Sequence, residues 1–257
     1  MNIAIIGCGV MGSSLARNIT NVKKMILCTR HVKCLSTLKT ELKCEVTDDA
    51  CYAYENADIV ILAVKPKSLH TVAEELCRSA SSKPKLILSI LAGVTLETLK
   101  ESFPNDKCVR IMPSLPLIVQ RGVMAVSFDS DVNQSDKKHT SELLSGLGII
   151  AIVPEKLFDP ITVLASSGPG YICMFLEAMV DAGVHMGLKS REAKAYAIET
   201  MLGTAKLLQD EDLSLSELKH QVASPSGATI EALVSMEKSG VRSGIIHGMI
   251  AAFEKLS

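Results

Sequence analysis

Asn2-Ile3-Ala4-Ile5-Ile6-Gly7-Cys8-Gly9-Val10-Met11-Gly12 decides the fold. The apolar run from Ile3 to Ile6 is continuous rather than alternating, as in a parallel strand buried on both faces. Three glycines then lead into SSLARNI, residues 13–19, whose apolar positions recur at helical spacing. A GxGxxG is weak evidence alone, since it also occurs as a plain glycine turn. Between a strand and a helix, each position acquires a physical reason. Gly7 allows a tight turn, Gly9 lets the backbone approach a pyrophosphate, and Gly12 lets helix and strand pack closely. The first-turn N–H groups of Val10, Met11 and Gly12, with the partial positive charge of the helix end, suit the phosphates of a dinucleotide.

Working outward, KMILC (24–28), ADIVILAV (57–64), KLILSI (85–90) and KCVRIM (107–112) read as further buried strands. VKCLSTLKTEL (32–42) and PKSLHTVAEELCRS (66–79) read as helices between them, with Pro66 at a helix start, where its missing N–H is harmless. GVMAVSFD (122–129) and GIIAIVP (148–154) add two later strands around a polar helix, NQSDKKHTSELLSGL (133–147). From Leu157 onward only helical patterns remain, with turn signals at SSGPG, GLKS and SPSG. YICMFLEAMVDAGV (171–184) is apolar nearly all round and predicts a buried helix. The expected fold is α/β: a Rossmann-type, doubly wound, mostly parallel sheet over residues 1–155, then an all-α dimerisation and substrate domain over 156–257. So much apolar helical surface predicts packing against a second copy, in a homodimer or a higher oligomer of dimers.

Composition narrows the partners. Hydrophobic residues make up 47% and charged residues 21% of the 257, which suits a globular chain. A formal net charge of −1, with 27 basic residues spread along the chain, argues against nucleic acid and anionic membrane surfaces. We find no unbroken apolar run near the roughly 18 residues of a membrane span, and MNIAIIGCG lacks the features of a signal peptide. Eight cysteines without a CxxC pair predict reduced thiols in a cytoplasmic protein. No His/Cys/Asp cluster has metal-ligand spacing, so no metal is expected.

Beyond the glycines, the carboxyl ends of the strands carry the candidate cofactor contacts. KMILC ends in Thr29-Arg30-His31, without the carboxylate that binds a ribose 2′-OH. Arg30 is then either a partner for a 2′-phosphate or a solvated strand-end arginine, and we expect NADPH, with NADH as the alternative. Ala63-Val64-Lys65-Pro66 closes its strand where ligands bind, which places Lys65 beside the cofactor or an anionic substrate, or else at a strand end in solvent. Ala92-Gly93 brings backbone close to the nicotinamide. Reducing a ketone needs a proton donor, commonly His or Lys, yet residues 161–184 hold no His, Lys or Arg. Reducing an already protonated imine needs no such donor; it needs shape, dryness and a grip on a carboxylate. His70, His139 and His247 are scattered, the eleven methionines suit core filling, and Glu177 and Asp181, one helical turn apart, suit cap or interface roles.

The chain resembles the Δ1-pyrroline-5-carboxylate reductase family. The resemblance rests on the GxGxxG, Val64-Lys65-Pro66, Ala92-Gly93-Val94, Arg110-Ile111-Met112-Pro113, Ser167-Gly168-Pro169-Gly170-Tyr171, Asp181-Ala182-Gly183 and Ser224-Pro225-Ser226-Gly227-Ala228-Thr229. It implies NAD(P)H-dependent reduction of 1-pyrroline-5-carboxylate to L-proline on a Rossmann domain joined to an interlocking helical dimer domain. It further implies cofactor contacts at Met112, Pro113 and Ser114, and substrate contacts at Ser167, Gly168, Ser224, Gly227, Ala228 and Thr229. Thr229 and Lys65 are the expected catalytic residues, Thr229 as hydrogen-bond donor to the imine nitrogen. Ser114-Leu115 stands where the family reads Asn-Thr, Ala165-Ser166 where it reads Ser-Gly, and Ser226 where glycine is usual. Those departures keep two alternatives in view: an NADP-linked reductase of another cyclic imine or keto acid, and a non-enzymatic NADPH-binding regulatory dimer.

Overall fold

The computed structural model describes residues 1–78 and 83–256, so Ser79, the end of the expected helix 66–79, lies outside the described residues. The chain divides into two compact units, Met1–Ser166 and Ser167–Ser257. In the first, β1 (Asn2–Ile6), β2 (Lys24–Cys28), β3 (Glu45–Thr47), β4 (Ile59–Leu62), β5 (Leu86–Ser89), β6 (Lys107–Pro113), β7 (Gly122–Phe128) and β8 (Gly148–Ile152) form one sheet. Its order is β3-β2-β1-β4-β5-β6-β7-β8. Neighbours run parallel except β6 and β7, which are antiparallel. Only residues 114–121 join those two, too few for the crossover a parallel pair needs.

Successive strand residues serve opposite faces. Ile3, Ile5, Leu27, Ile61, Leu88 and Val109 line one core, and Ala4, Ile6, Ile26, Leu62, Ile87 and Cys108 line the other. The unbroken apolar runs are thus explained by cover on both sides. That cover is α1 (Val10–Asn18), α2 (Ser36–Leu42), α3 (Ala50–Glu55), α4 (Leu69–Cys77), α5 (Leu96–Ser102) and α6 (Gln134–Leu144). The structure adds β3, α3 and α5 to the expected elements. Both added helices begin at a side-chain cap: Asp49 accepts from Tyr52 N–H at 2.8 Å, and Thr95 from Thr98 N–H at 3.1 Å. β3 is a three-residue edge strand whose Glu45 pairs with Lys24 of β2 at 2.6 Å. A short helix, α7 (Phe158–Ile161), closes this unit.

The second unit is helical: α8 (Gly168–His185), α9 (Ser190–Asp210), α10 (Leu215–Gln221), α11 (Ala228–Lys238) and α12 (Val241–Leu256). α8 and α9 pack closely because a Cβ on Gly183 would already lie 3.0 Å from Ala193 Cβ. The expectation that residues 171–184 form a buried helix needs correcting for the single chain. Met174 is 65% exposed, and Ile172, Phe175 and Val184 are exposed as well. A groove of about 450 Å³ between α9 and α10, lined by Leu207, Leu208, Leu215 and Leu218, is open too. The helical stretch Glu155–His185 is long and apolar enough, by length and composition, to cross a membrane, which a search for unbroken apolar runs misses.

Candidate functional site

Strand register builds the nucleotide half. Cys28, Ile6, Leu62, Ser89 and Arg110 pair in one line across β2, β1, β4, β5 and β6. Just beyond that line β2, β1, β4 and β5 give way to Thr29, Gly7, Ala63 and Ile90, so these four candidate loops emerge side by side at the carboxyl edge, while β6, the fifth strand, runs on to Pro113. With neighbouring strands about 4.8 Å apart, the five span about 19 Å. Strand order switches between β1 and β4, where ligands bind in such sheets.

Gly7 has φ +97°, and a Cβ there would lie 2.6 Å from Ala63 O and 2.8 Å from Val64 N. A Cβ on Gly12 would strike the Gly7 carbonyl oxygen and come 3.2 Å from Ala63 Cβ. Gly7, Gly12, Ala63 and Val64 are therefore brought together by contact. Gly9 differs, because nothing lies within 4 Å of where its Cβ would sit. It is the N-cap of α1, which has no side-chain cap and no acidic residue in its first turn. The open first-turn N–H groups fit a pyrophosphate. Val10 is exposed and Met11 half-buried beside them. Cys8 is a core group rather than a nucleophile: burial pushes its thiol up to about 12.

Thr29 donates its N–H to Thr47 O at 3.1 Å, and Arg30 beyond it is exposed, with no ion pair among the described residues. Lys65 is also exposed, and Pro66 opens the turn into α4. Ala92 and Gly93 (φ +73°) form an exposed tip between the buried anchors Leu91 and Val94. Met112 is half-buried, whereas Pro113 and Ser114 are buried. Ser114 Oγ accepts from Val123 N–H at 2.8 Å, so this hydroxyl stitches β6 to β7 while Leu115 takes the exposed position. Sequence reasoning marked Ser166 only as a departure from the family and missed its contact: its Oγ donates to Pro113 O at 3.3 Å. It ends a π-helical turn, Thr162–Ser166, a rare form often found at functional positions. The available signal was its departure from the family's glycine.

In the helical unit, Gly227 N–H donates to Ser224 O at 3.1 Å and closes a turn over Pro225 and Ser226. Proline followed by a positive φ is the type II pattern, which favours glycine in the third place. Ser226 occupies that place at φ +58°. A Cβ on Gly227 would strike Ser224 Oγ. Gly227 then caps α11 without a side-chain bond, leaving the N–H groups of Ala228 and Thr229 open, and Thr229 is exposed. Ser167 caps α8, with its carbonyl accepting from Gly170 N–H at 2.9 Å, and Gly168 is buried behind it. No hydrogen bond among the described residues joins Ser167 or Gly168 to the turn at 224–229. Glu177 and Asp181 lie exposed on α8, and His70, His139 and His247 lie exposed on α4, α6 and α12, His70 in the first turn of its helix. Ser226→Gly is expected to stabilise the chain by about 1 kcal/mol by relieving the left-handed conformation. Thermal unfolding should show Tm rising by about 2–4 °C, and an unchanged Tm would mean that the serine is not strained.

Residues 155–257 match the family model described as pyrroline-5-carboxylate reductase dimerisation. Residues 2–93 match that of NADP oxidoreductase, coenzyme F420-dependent. The pyrroline-5-carboxylate reductase of Aquifex aeolicus is 33% identical over 96% of this chain and 93% of its own. This chain belongs to the pyrroline-5-carboxylate reductase family. That of Synechocystis is 32% identical, covering 99% of this chain and 97% of the relative. Among solved structures, the Plasmodium falciparum pyrroline carboxylate reductase with NADP bound is similar at TM-score 0.87 and 29% identity, covering 100% of this chain and 97% of that one. The Coxiella burnetii pyrroline-5-carboxylate reductase is similar at TM-score 0.91 and 28% identity, covering 99% and 97%.

Proposed function

We propose that this chain reduces 1-pyrroline-5-carboxylate to L-proline with NADPH, the last step of proline biosynthesis. What carries this is that one chain of this family holds both an open dinucleotide turn and, separately, an α11 start with no side-chain cap that bears Thr229. When bound, NADPH supplies a hydride to the imine carbon. Gly7, Gly9, Val10, Met11 and Gly12 hold the pyrophosphate. Thr29 and Arg30 hold the 2′-phosphate end, while Ala63, Val64, Pro66, Ala92, Gly93, Met112, Pro113 and Ser114 shape the groove toward the nicotinamide.

Substrate recognition needs little titratable chemistry. The N–H groups after Gly227, together with Ser224, Ser167 and Gly168, hold the carboxylate. Lys65 adds a positive charge on the strand side. As the C=N electrons move onto nitrogen a lone pair develops there, and the Thr229 hydroxyl donates a hydrogen bond to it. Such a contact strengthens only as the reaction proceeds, which is where catalysis gains. The exposed apolar faces of α8 and α9 support a homodimer, with residues 156–257 as the dimerisation and substrate module. Eight free cysteines, among them exposed Cys34, Cys77 and Cys173, support a reducing, cytoplasmic setting. A second reading, another cyclic imine as substrate, is favoured by buried Ser114 and exposed Leu115 where the family has Asn and Thr.

The test is loss of NADPH absorbance when pyrroline-5-carboxylate is added to purified protein. No turnover would end the first reading, and turnover of a six-membered cyclic imine instead would establish the second. Arg30→Ala is expected to raise the KM for NADPH about tenfold by removing a charge-assisted contact, while leaving that for NADH unchanged. An equal effect on both cofactors would remove Arg30 from 2′-phosphate recognition.

A further inference from the structure

Arg110 is only 8% exposed, in the middle of β6, and its guanidinium stacks 4.4 Å from the centre of the Phe158 ring. Its Nη1 donates to Glu155 Oε1 at 2.7 Å. The same carboxylate oxygen accepts the backbone N–H of Leu96 at 2.8 Å. Leu96 is the first residue of α5 and follows directly on the Ala92-Gly93-Val94-Thr95 turn. The turn is thus held on one side by buried Leu91 and Val94, and on the other by a charge-assisted bond to Glu155. Arg110 keeps that carboxylate aimed, and Phe158 keeps Arg110 from swinging away.

We propose that Glu155 is a positioning residue for the reductase reaction. Through the Leu96 N–H it fixes the height of the Ala92-Gly93 tip, and so the wall against which the nicotinamide end of the cofactor lies. The proposal rests on the reading of Ala92 and Gly93 as cofactor contacts. It separates two roles that an ion pair confounds, because the Arg110 contact needs a charge while the Leu96 contact needs only an acceptor oxygen. Glutamine keeps the acceptor and removes the charge; alanine removes both.

The experiment compares Glu155→Ala and Glu155→Gln with wild type. The readouts are the KM for NADPH, kcat, and hydrogen–deuterium exchange of the peptide covering residues 92–96. Glu155→Ala is expected to speed exchange there and to raise the KM for NADPH about tenfold, with kcat changed much less. Glu155→Gln is expected to restore both to within about threefold of wild type. If glutamine is as impaired as alanine and exchange at 92–96 is unchanged, the pair serves stability alone and the proposal falls. If exchange rises in Glu155→Ala while the KM for NADPH stays at the wild-type value, the proposal also falls, because the turn does not contact the cofactor. In that case wild-type turnover still upholds the reductase reading.

Discussion

Gly12→Ala should yield a protein that no longer holds NADPH. The added methyl would overlap the Gly7 carbonyl oxygen, so α1 has to lift away from β1 and carry with it the first-turn N–H groups proposed to hold the phosphates. Overpacking of this kind costs about 1–3 kcal/mol of stability. The displaced turn should also weaken NADPH binding at least about a hundredfold, ~2.7 kcal/mol. Titration of NADPH fluorescence measures the affinity, and thermal unfolding the stability. Gly9→Ala serves as the contrast: its Cβ meets open space, so Tm should hold while affinity falls, since the methyl then occupies the path of the pyrophosphate. Near-wild-type affinity in both variants would refute this turn as the phosphate site.

Thr229→Ala is expected to lower kcat about a hundredfold, the scale of losing a positioned proton-bearing group. The KM for NADPH should stay unchanged, because the turn at 224–229 is proposed to hold the substrate and not the cofactor. Exposure in the first turn of α11 keeps the stability change small. Thr229→Ser retains the hydroxyl and should recover most of the rate, which separates the hydrogen bond from the methyl contact. Full turnover by Thr229→Ala would take this residue out of the mechanism and leave family membership intact.

The strands of the sheet were legible because burial on both faces leaves runs such as Ile59–Leu62 with no polar interruption. α3, α5 and β3 were not, since six, seven and three residues are too few to display a period. Their ends rest on single caps at Asp49 and Thr95, which stand out only once the neighbouring strands are placed. The glycines were legible through their spacing, and the structure supplies the colliding atoms that explain Gly7 and Gly12. Arg110 was visible as part of a motif, but its work was not: Glu155 lies 45 residues away along the chain. The exposure of α8 reverses what its composition suggested, because hydrophobicity says that a face is covered without saying by which molecule.

The straight line of strand ends from Cys28 to Ser89 has a consequence for the lifetime of the protein. A dinucleotide bound there as proposed would touch the ends of several strands at once, so opening any one of them would weaken its hold. Proteolysis of such a sheet has to wait for an opening that the ligand opposes by mass action. The cell's supply of the cofactor, in whichever redox state it binds, would then lengthen the life of each copy of the enzyme.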